Sequence, residues 1–519
     1  MADPFGGHRL ALPYRTVGEA LAAHAARAAA QSAIVDIDQG SSITFGDLER
    51  IVTDIAADLK RRGIGKGDRV VLLSDEVLEK LLIWFGCWRI GAVVCPLNVE
   101  LNSRHVSELT QIIAPKLILV HKELDAAELT KGASAPIVRF GEMENPGAGD
   151  AFFTTLARGH APASLPDRNE PADLACIFCT SGTTDRPKLV VYDHTSYWLV
   201  GLSTLECIGL TENDKALEYR SFGWNSAQVL SLMPLLQVGP TLHIARRFSN
   251  SRFFDWINTY GITFAAGVPT VINLLLNKPD PVPMPSLRLM SCSSAPLSPE
   301  QWERFESMYG IKLLQMYGMS EAGWVCGNRH YRRRMGTVGP PALHQELEIV
   351  DGQGRALPPG VEGEVSAGGP QCSIGLLQDD GSIEPVRGRR IKTGDLAVMD
   401  EDGFIRITGR SKDLIIRGGV NISPVEVDGV LLAHPLLADA ASIGVPDPIY
   451  GEEVVAFAVL KPGAQEGETS ILAYCANHLP LPKQPKRVFI VAELPKSDRG
   501  KVLRDKLREQ WSKLTRTNA

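Results

Sequence analysis

The chain lacks the marks of several large classes of protein. It has no excess of positive charge: 54 Lys and Arg stand against 60 Asp and Glu, for a net charge of −6 and a pI near 6.0. That balance leaves no electrostatic footprint for nucleic acid. Long apolar runs are missing too. The most apolar window, residues 81–97, is broken by Arg89 and is too short to span a bilayer comfortably. Residues 1–7 offer no charged start followed by an apolar core, so no signal peptide is expected and a soluble, cytoplasmic protein is. Cysteine is sparse, with nine scattered through 519 residues, which is not the spacing of a disulfide framework. Cys176 and Cys179 form a C-x-x-C, but no second pair or nearby histidine completes a zinc site. They read as small apolar residues of a core strand. Internal repeats and low-complexity tracts are absent.

What is present points to a layered α/β protein of more than one domain. A chain of 519 residues exceeds the size at which single cores stop growing. Residues 45–62 carry apolar side chains at helical spacing, 69–73 read as a strand, 79–90 as a helix and 92–95 as a strand again. That alternation argues for largely parallel sheets covered by helices. Gly63-Ile64-Gly65-Lys66-Gly67-Asp68 lacks G-x-G-x-x-G spacing and precedes a strand, so it is a turn. Asp402-Gly403 is a strong hairpin signal between two short apolar runs. About a hundred residues follow it, enough for a small second core, with a last strand over 487–491 after the rigid Leu479-Pro480-Leu481-Pro482. The triple Arg332-Arg333-Arg334 reads as a solvated loop; the alternative is a phosphate-facing role.

One stretch stands out chemically: Thr180-Ser181-Gly182-Thr183-Thr184-Asp185-Arg186-Pro187-Lys188. It follows a short apolar strand, and such a loop offers N–H groups and hydroxyls to phosphate oxygens, with lysine as a point charge. It is not a Walker loop, and alone it could be an ordinary Ser/Thr-rich turn. Four later segments join it in fixed order: Gln315-Met316-Tyr317-Gly318-Met319-Ser320-Glu321, Lys392-Thr393-Gly394-Asp395, Gly409-Arg410-Ser411-Lys412-Asp413 and Gly500-Lys501-Val502-Leu503-Arg504. Together they resemble the acyl-adenylate-forming, AMP-binding superfamily of acyl-CoA synthetases, peptide-synthetase adenylation domains and firefly-type luciferases. The resemblance runs along nearly the whole chain, from Ile43-Thr44-Phe45-Gly46-Asp47-Leu48 through Gly91-Ala92-Val93-Val94-Cys95-Pro96-Leu97-Asn98.

The resemblance implies a fold, a reaction and a set of roles. The fold would be a large N-terminal domain of layered α/β sheets with a β-barrel-like subdomain, residues 1–411. A smaller, mobile α+β domain, residues 412–519, would turn about a hinge at Lys412. The reaction would join a carboxylic acid to CoA through an acyl-adenylate, using ATP and Mg²⁺ and releasing AMP and pyrophosphate. Thr180, Ser181, Gly182, Thr183, Thr184 and Lys188 would hold phosphates, and Glu321 the magnesium ion, for which a hard oxygen ligand is suited. Tyr317, in the Tyr317-Gly318-Met319-Ser320 context, would stack on adenine, with Ser293, Ser294 and Ala295 behind it. Asp395 would accept the ribose hydroxyls, joined by Arg410. Lys501 would be the principal catalytic residue of the first step, its ammonium set against the transition state. Gly418 and Gly419 would let a pantetheine arm pass in the second step.

The acyl pocket would be lined by Phe222, Trp224, Asn225 and Gly267. No aspartate lies in residues 221–227 to pair with a substrate ammonium, which disfavours an amino acid. A bulky Trp224 argues for a compact acid: short or medium chain, branched, alicyclic or aromatic; plain core packing is the other reading of that indole. Two departures from the family pattern stand out. Relatives carry glycine where this chain has Asp185 and Leu189, so weak ATP binding, a stiffer loop, or a catalytically impaired binding protein is the alternative. A carrier-protein pantetheine in place of CoA is a further one. The context of Lys501 resembles that of lysines acetylated in bacterial acyl-CoA synthetases, implying an acetyltransferase and deacetylase as partners. A monomer or homodimer is expected.

Overall fold

The computed structural model describes residues 12–97, 103–141, 167, 169–180, 187–278, 281–295, 297–497 and 501–516. Fully buried apolar runs become strands in the middle of a sheet. Arg69–Leu73, Val93–Leu97 and Leu117–His121 pair in parallel, and their near-continuous burial on both faces is the signature of such a sheet. Helices cover them. Phe45–Arg61 starts where the Thr44 side chain accepts the Asp47 N–H, and buries Leu48, Val52, Ile55 and Leu59, the spacing of one helical face. Leu78–Arg89 is buried nearly all round, as suits a helix packed between layers. The expected helices and strands of this region are thus present to within a residue or two. Residues 63–68 form turns.

Among the described residues the chain builds two eight-stranded sheets, a four-stranded sheet and a five-stranded sheet. One large sheet carries Leu174–Cys179, in which Cys176 and Cys179 are buried, paired antiparallel with Leu189–Asp193. The other carries Leu289–Cys292 parallel to Lys312–Met319, which turns back as Gly323–Gly327. The part expected to be barrel-like is the four-stranded antiparallel sheet of Glu346–Val350, Gly363–Gly368, Ile391–Met399 and Ile405–Arg410. The Asp402-Gly403 turn joins its last two strands, as its sequence requires.

After a single 3-10 turn, Ser411–Asp413, the chain enters a separate sheet. Its backbone is the long hairpin Leu437–Asp447 with Gly451–Leu460, joined by Arg487–Ile490 in parallel. Helices Pro424–Leu432, Glu468–His478 and Arg504–Arg516 accompany it, and it has its own apolar core around Ile415, Val427, Leu431 and Val454. Among the described residues, no helix is long and apolar enough to cross a membrane.

The arginine triple lies on a surface loop with Arg332 and Arg334 exposed, as expected, and all three are engaged there. Arg333 pairs with Glu306 and Arg334 with Asp400 and Asp402, while Arg332 and Arg334 lie 5.1 and 4.3 Å from the Phe404 ring centre. Arg332 and Arg334 hold the tip of the 399–405 hairpin, while Arg333 is tied to the helix that carries Glu306. That tip lies at the opposite end of the hairpin from Asp395 and Arg410.

Candidate active site

Strand ends bring the separate sequence motifs together. Asp395 and Arg410 are cross-strand partners in the Ile391–Met399/Ile405–Arg410 hairpin. Arg410 Nε donates to Asp395 Oδ1 at 2.5 Å, and the Tyr317 hydroxyl donates to Oδ2 at 2.6 Å. Burial, then the Asp395 charge, push the Tyr317 phenol well above its ordinary pKa, so it stays a neutral donor. Asp395 is only 8 % exposed, yet a carboxylate has roughly four acceptor positions. About half of these stay open after Arg410 and Tyr317 are counted.

Lys501 comes to the same place from the far end of the chain. A bridge between Lys496 and Val502 forms its base, Ser497 donates its N–H to the Lys501 carbonyl at 2.8 Å, and the Lys501 N–H donates to Ser497 Oγ at 3.2 Å. The ammonium is partly buried and lies within electrostatic reach of Arg410, Asp395, Asp413 and Lys412. Burial first, then Arg410, lower its pKa to about 8, with Asp395 and Asp413 opposing.

Tyr317, Gly318, Ser320 and Glu321 occupy the Lys312–Met319 strand and its turn into Gly323–Gly327. The turn is pinned from outside: Tyr192 donates to the Ser320 carbonyl at 3.0 Å and Ser373 N–H to the Glu321 carbonyl at 2.9 Å. A Cβ on Gly318 would lie 2.5 Å from the Gly323 carbonyl oxygen, so the close approach of the two strands requires glycine. Glu321 is half-buried on a hairpin turn and makes no ion pair among the described residues. Its oxygens are therefore available to a hard cation. Beyond the next strand, Ser293 is buried and its N–H reaches the Gly267 carbonyl at 3.3 Å. Ser294 holds φ +75°, a left-handed conformation that a non-glycine residue keeps only where its surroundings enforce it. Ala295 is half-buried. Gly267 admits no side chain, since a Cβ would meet the Ser291 carbonyl at 2.5 Å.

The base of the Ser/Thr-rich segment is closed by Thr180 N–H to the Lys188 carbonyl at 2.8 Å and Lys188 N–H to Thr180 Oγ1 at 3.1 Å. Ser181, Gly182, Thr183, Thr184 and Asp185 lie outside the described residues. Leu189 belongs to a strand and not to the loop. It is the first residue of the Leu189–Asp193 strand, paired with Cys179 and Leu377 and buried in the core.

Lys412 sits exposed on the 3-10 turn between the two parts of the chain. Gly418 and Gly419 form the tip of an exposed hairpin with φ of 57° and 83°, which suits glycine alone. The Gly418 N–H is held by the Tyr450 carbonyl at 2.8 Å, and no hydrogen bond among the described residues joins this hairpin to Asp395. In the segment expected to line an acyl pocket, Phe222 and Asn225 are buried and Trp224 is half-buried. Residues that the sequence did not single out surround it: buried Glu76, Lys80, Glu218, Arg220 and Gln228. Glu76 lies in the bend just before the Leu78–Arg89 helix and Lys80 in its first turn, so no helical period marks the two as a pair.

The family model for AMP-binding enzymes matches residues 21–377, and that for their C-terminal domain matches 426–501. The chain belongs to the AMP-binding enzyme family. A probable CoA ligase of Humulus lupulus is 32% identical over 478 residues, 89% of this chain and 90% of its own. A sulfoacetate–CoA ligase of Cupriavidus necator is 30% identical over 507 residues, 95% and 97% of the two chains. Among solved structures, an anthranilate CoA ligase in complex with anthranoyl-AMP superposes with a TM-score of 0.88 at 26% identity, over 98% of this chain and 99% of that one. ATP-bound MatB from Rhodopseudomonas palustris gives 0.85 at 26% identity, over 96% and 98%. The protein is accordingly an acid–thiol ligase of the acyl-CoA synthetase type, an ATP-dependent enzyme with CoA as substrate.

Proposed function

We propose that this ligase activates a compact carboxylic acid as its acyl-adenylate and then transfers the acyl group to CoA. The observation that carries this reading is the convergence of Lys501 on the Asp395–Arg410 pair beside Tyr317. A carboxylate oxygen of the acid attacks the α-phosphorus of ATP, and pyrophosphate leaves with the bridging oxygen. Both reactants are anionic, so the step needs fixed positive charge. Lys501 supplies it, Asp395 holds the ribose, and the half-buried Tyr317 ring takes one face of the adenine with residues 293–295 on the other. Glu321 would hold Mg²⁺, which when bound neutralises phosphate charge.

In the second step the CoA sulfur attacks the acyl carbonyl carbon, AMP leaves, and the thiol proton passes to solvent. The domain of residues 412–519 turns about Lys412 for this step, withdrawing Lys501 and presenting Gly418 and Gly419. The exposed setting of that glycine hairpin supports a part used in another arrangement.

A short or medium, branched, alicyclic or aromatic acid fits the half-buried Trp224 beside Phe222. Asn225 adds a demand. Its Nδ2 is buried and makes no hydrogen bond to a described residue, although the Tyr197 phenol is close enough to feel the amide. An acid with an acceptor on its body would satisfy that donor. Anthranilate, the acid of the structural relative, is aromatic, so aromatic acids are the first class to test. Acetylated Lys501 would lose its charge; we expect it to lose adenylation while thioester formation from supplied acyl-adenylate survives. No relative named above points to a dedicated acetyltransferase. Incubation with ATP, Mg²⁺ and single acids without CoA, followed by mass spectrometry, tests the reading. Acyl-AMP is expected with one class of acid, and Trp224→Ala is expected to admit bulkier ones. No adenylate with any acid overturns it.

A further inference from the structure

The acyl segment, residues 221–226, hangs between two buried ion pairs. On one side Lys80 is 0 % exposed. Its ammonium donates to the Glu76 carboxylate at 2.9 and 3.1 Å and to the Ser74 carbonyl at 3.2 Å. Glu76 Oε1 accepts the Ser221 hydroxyl at 2.9 Å. Ser221 Oγ in turn accepts the Gly223 N–H at 3.1 Å, and the Ser221 carbonyl accepts the Trp224 N–H at 3.0 Å. The result is a tight turn with Trp224 at its end, tied to a charge 145 residues away in sequence.

On the other side Arg220 grips Glu218 with two bonds, Nε to Oε1 at 2.8 Å and Nη2 to Oε2 at 2.7 Å. Both residues are buried. Ser231 donates to Glu218 Oε2 at 3.0 Å, and Arg220 reaches Ser226 through Oγ at 3.4 Å and the carbonyl at 3.5 Å. Between the two anchors, Gln228 Nε2 donates to the Phe222 carbonyl at 2.6 Å while its Oε1 accepts from Tyr197. Gln228 also opens the π-helical turn Gln228–Leu232, a distortion that recurs at functional sites.

Stability does not explain this arrangement. A buried ion pair is commonly no more stabilising than an apolar pair of the same shape, but removing one partner strands a charge. Such pairs fix geometry, because neither end moves without the other. We propose that Glu76–Lys80, acting through Ser221, and Glu218–Arg220, acting through Ser226, are positioning residues that hold Trp224 in place and so set acyl specificity. This rests on the assignment of residues 221–226 to the acyl pocket.

Ser221→Ala cuts the link to Glu76 and leaves both ion pairs intact. The measurement is kcat/KM for the best acid and for a homologue one or two methylenes larger. Discrimination is expected to fall about tenfold in the variant, the scale of a pocket contact worth one methylene, through the KM of the acid alone. The KM values for ATP and CoA and the melting temperature are expected to hold, and Ser221→Thr, which keeps the hydroxyl, to restore discrimination. Arg220→Lys, which loses the planar fork, is expected to relax discrimination likewise. Trp224→Ala separates the layers of the argument. If it changes discrimination and Ser221→Ala does not, the positioning role is overturned and the pocket assignment stands. If Trp224→Ala changes nothing, both fall. A uniform loss in all parameters for Ser221→Ala, unrescued by threonine, would make the turn merely structural and overturn the proposal.

Discussion

Replacing Asp395 with asparagine tests the nucleotide site at its best-defined point. The carboxylate receives Arg410 Nε at 2.5 Å and the Tyr317 hydroxyl at 2.6 Å. An asparagine can satisfy both by turning Oδ1 to the guanidinium and Nδ2 to the phenol, which then accepts. What no orientation restores is the negative charge opposite Arg410, nor the acceptor for the ribose hydroxyl on the amide side. A hydrogen bond to a charged group contributes about 1.5–3 kcal/mol, so the dissociation constant for AMP should rise about 10- to 150-fold. The fold should suffer less, because the Arg410 side chain is 31 % exposed and water screens its charge; a loss near 1 kcal/mol is expected. Tyr317→Phe removes only a neutral donor and should weaken AMP about fivefold. Calorimetric titration with AMP, paired with thermal melts, reads both quantities. Asp395→Asn binding within twofold of wild type, or no weaker than Tyr317→Phe, would refute this reading of the site.

The lowered pKa of Lys501, about 8, gives a sign. The ammonium is the working form, so kcat/KM for adenylation should be flat below that value and fall about tenfold per pH unit above it; a rate rising through pH 8 in a pyrophosphate-release assay contradicts the role. Gly318→Ala forces a Cβ to within 2.5 Å of the Gly323 carbonyl, so melts should show a loss of about 1–3 kcal/mol together with weaker nucleotide binding. Leu189→Gly removes a buried strand side chain and should destabilise by about 3–5 kcal/mol without improving ATP affinity. A severalfold lower KM for ATP would instead support loop stiffness as the reason for the departure at this position.

Much of this site was legible in the sequence because its residues come with local geometry. The Asp402-Gly403 turn sets the register of the hairpin tip, Met399 opposite Ile405, but a register shift between Leu396 and Ala397, which no local sequence signal announces, is what brings Asp395 opposite Arg410. Strand Arg69–Leu73 and helix Leu78–Arg89 follow from apolar run length and period alone. Other features have no local signature. The φ of +75° at Ser294 is imposed by its neighbours, since serine has no preference for it. Glu76 and Lys80 straddle the start of the Leu78–Arg89 helix with no periodic signal, and only the packed structure, with Ser221 arriving on Glu76, shows that they are interior. Leu189 continues the loop motif in sequence, whereas cross-strand pairing with Cys179 ends the loop at Lys188.

The most direct test of the whole account is AMP release with ATP, Mg²⁺, CoA and a panel of short linear, branched, alicyclic, aromatic and medium-chain acids, with Lys501→Ala in parallel. CoA-dependent AMP release with one class of acid, lost in the variant, is the predicted result. Release that persists in Lys501→Ala, or silence with every acid, would contradict it.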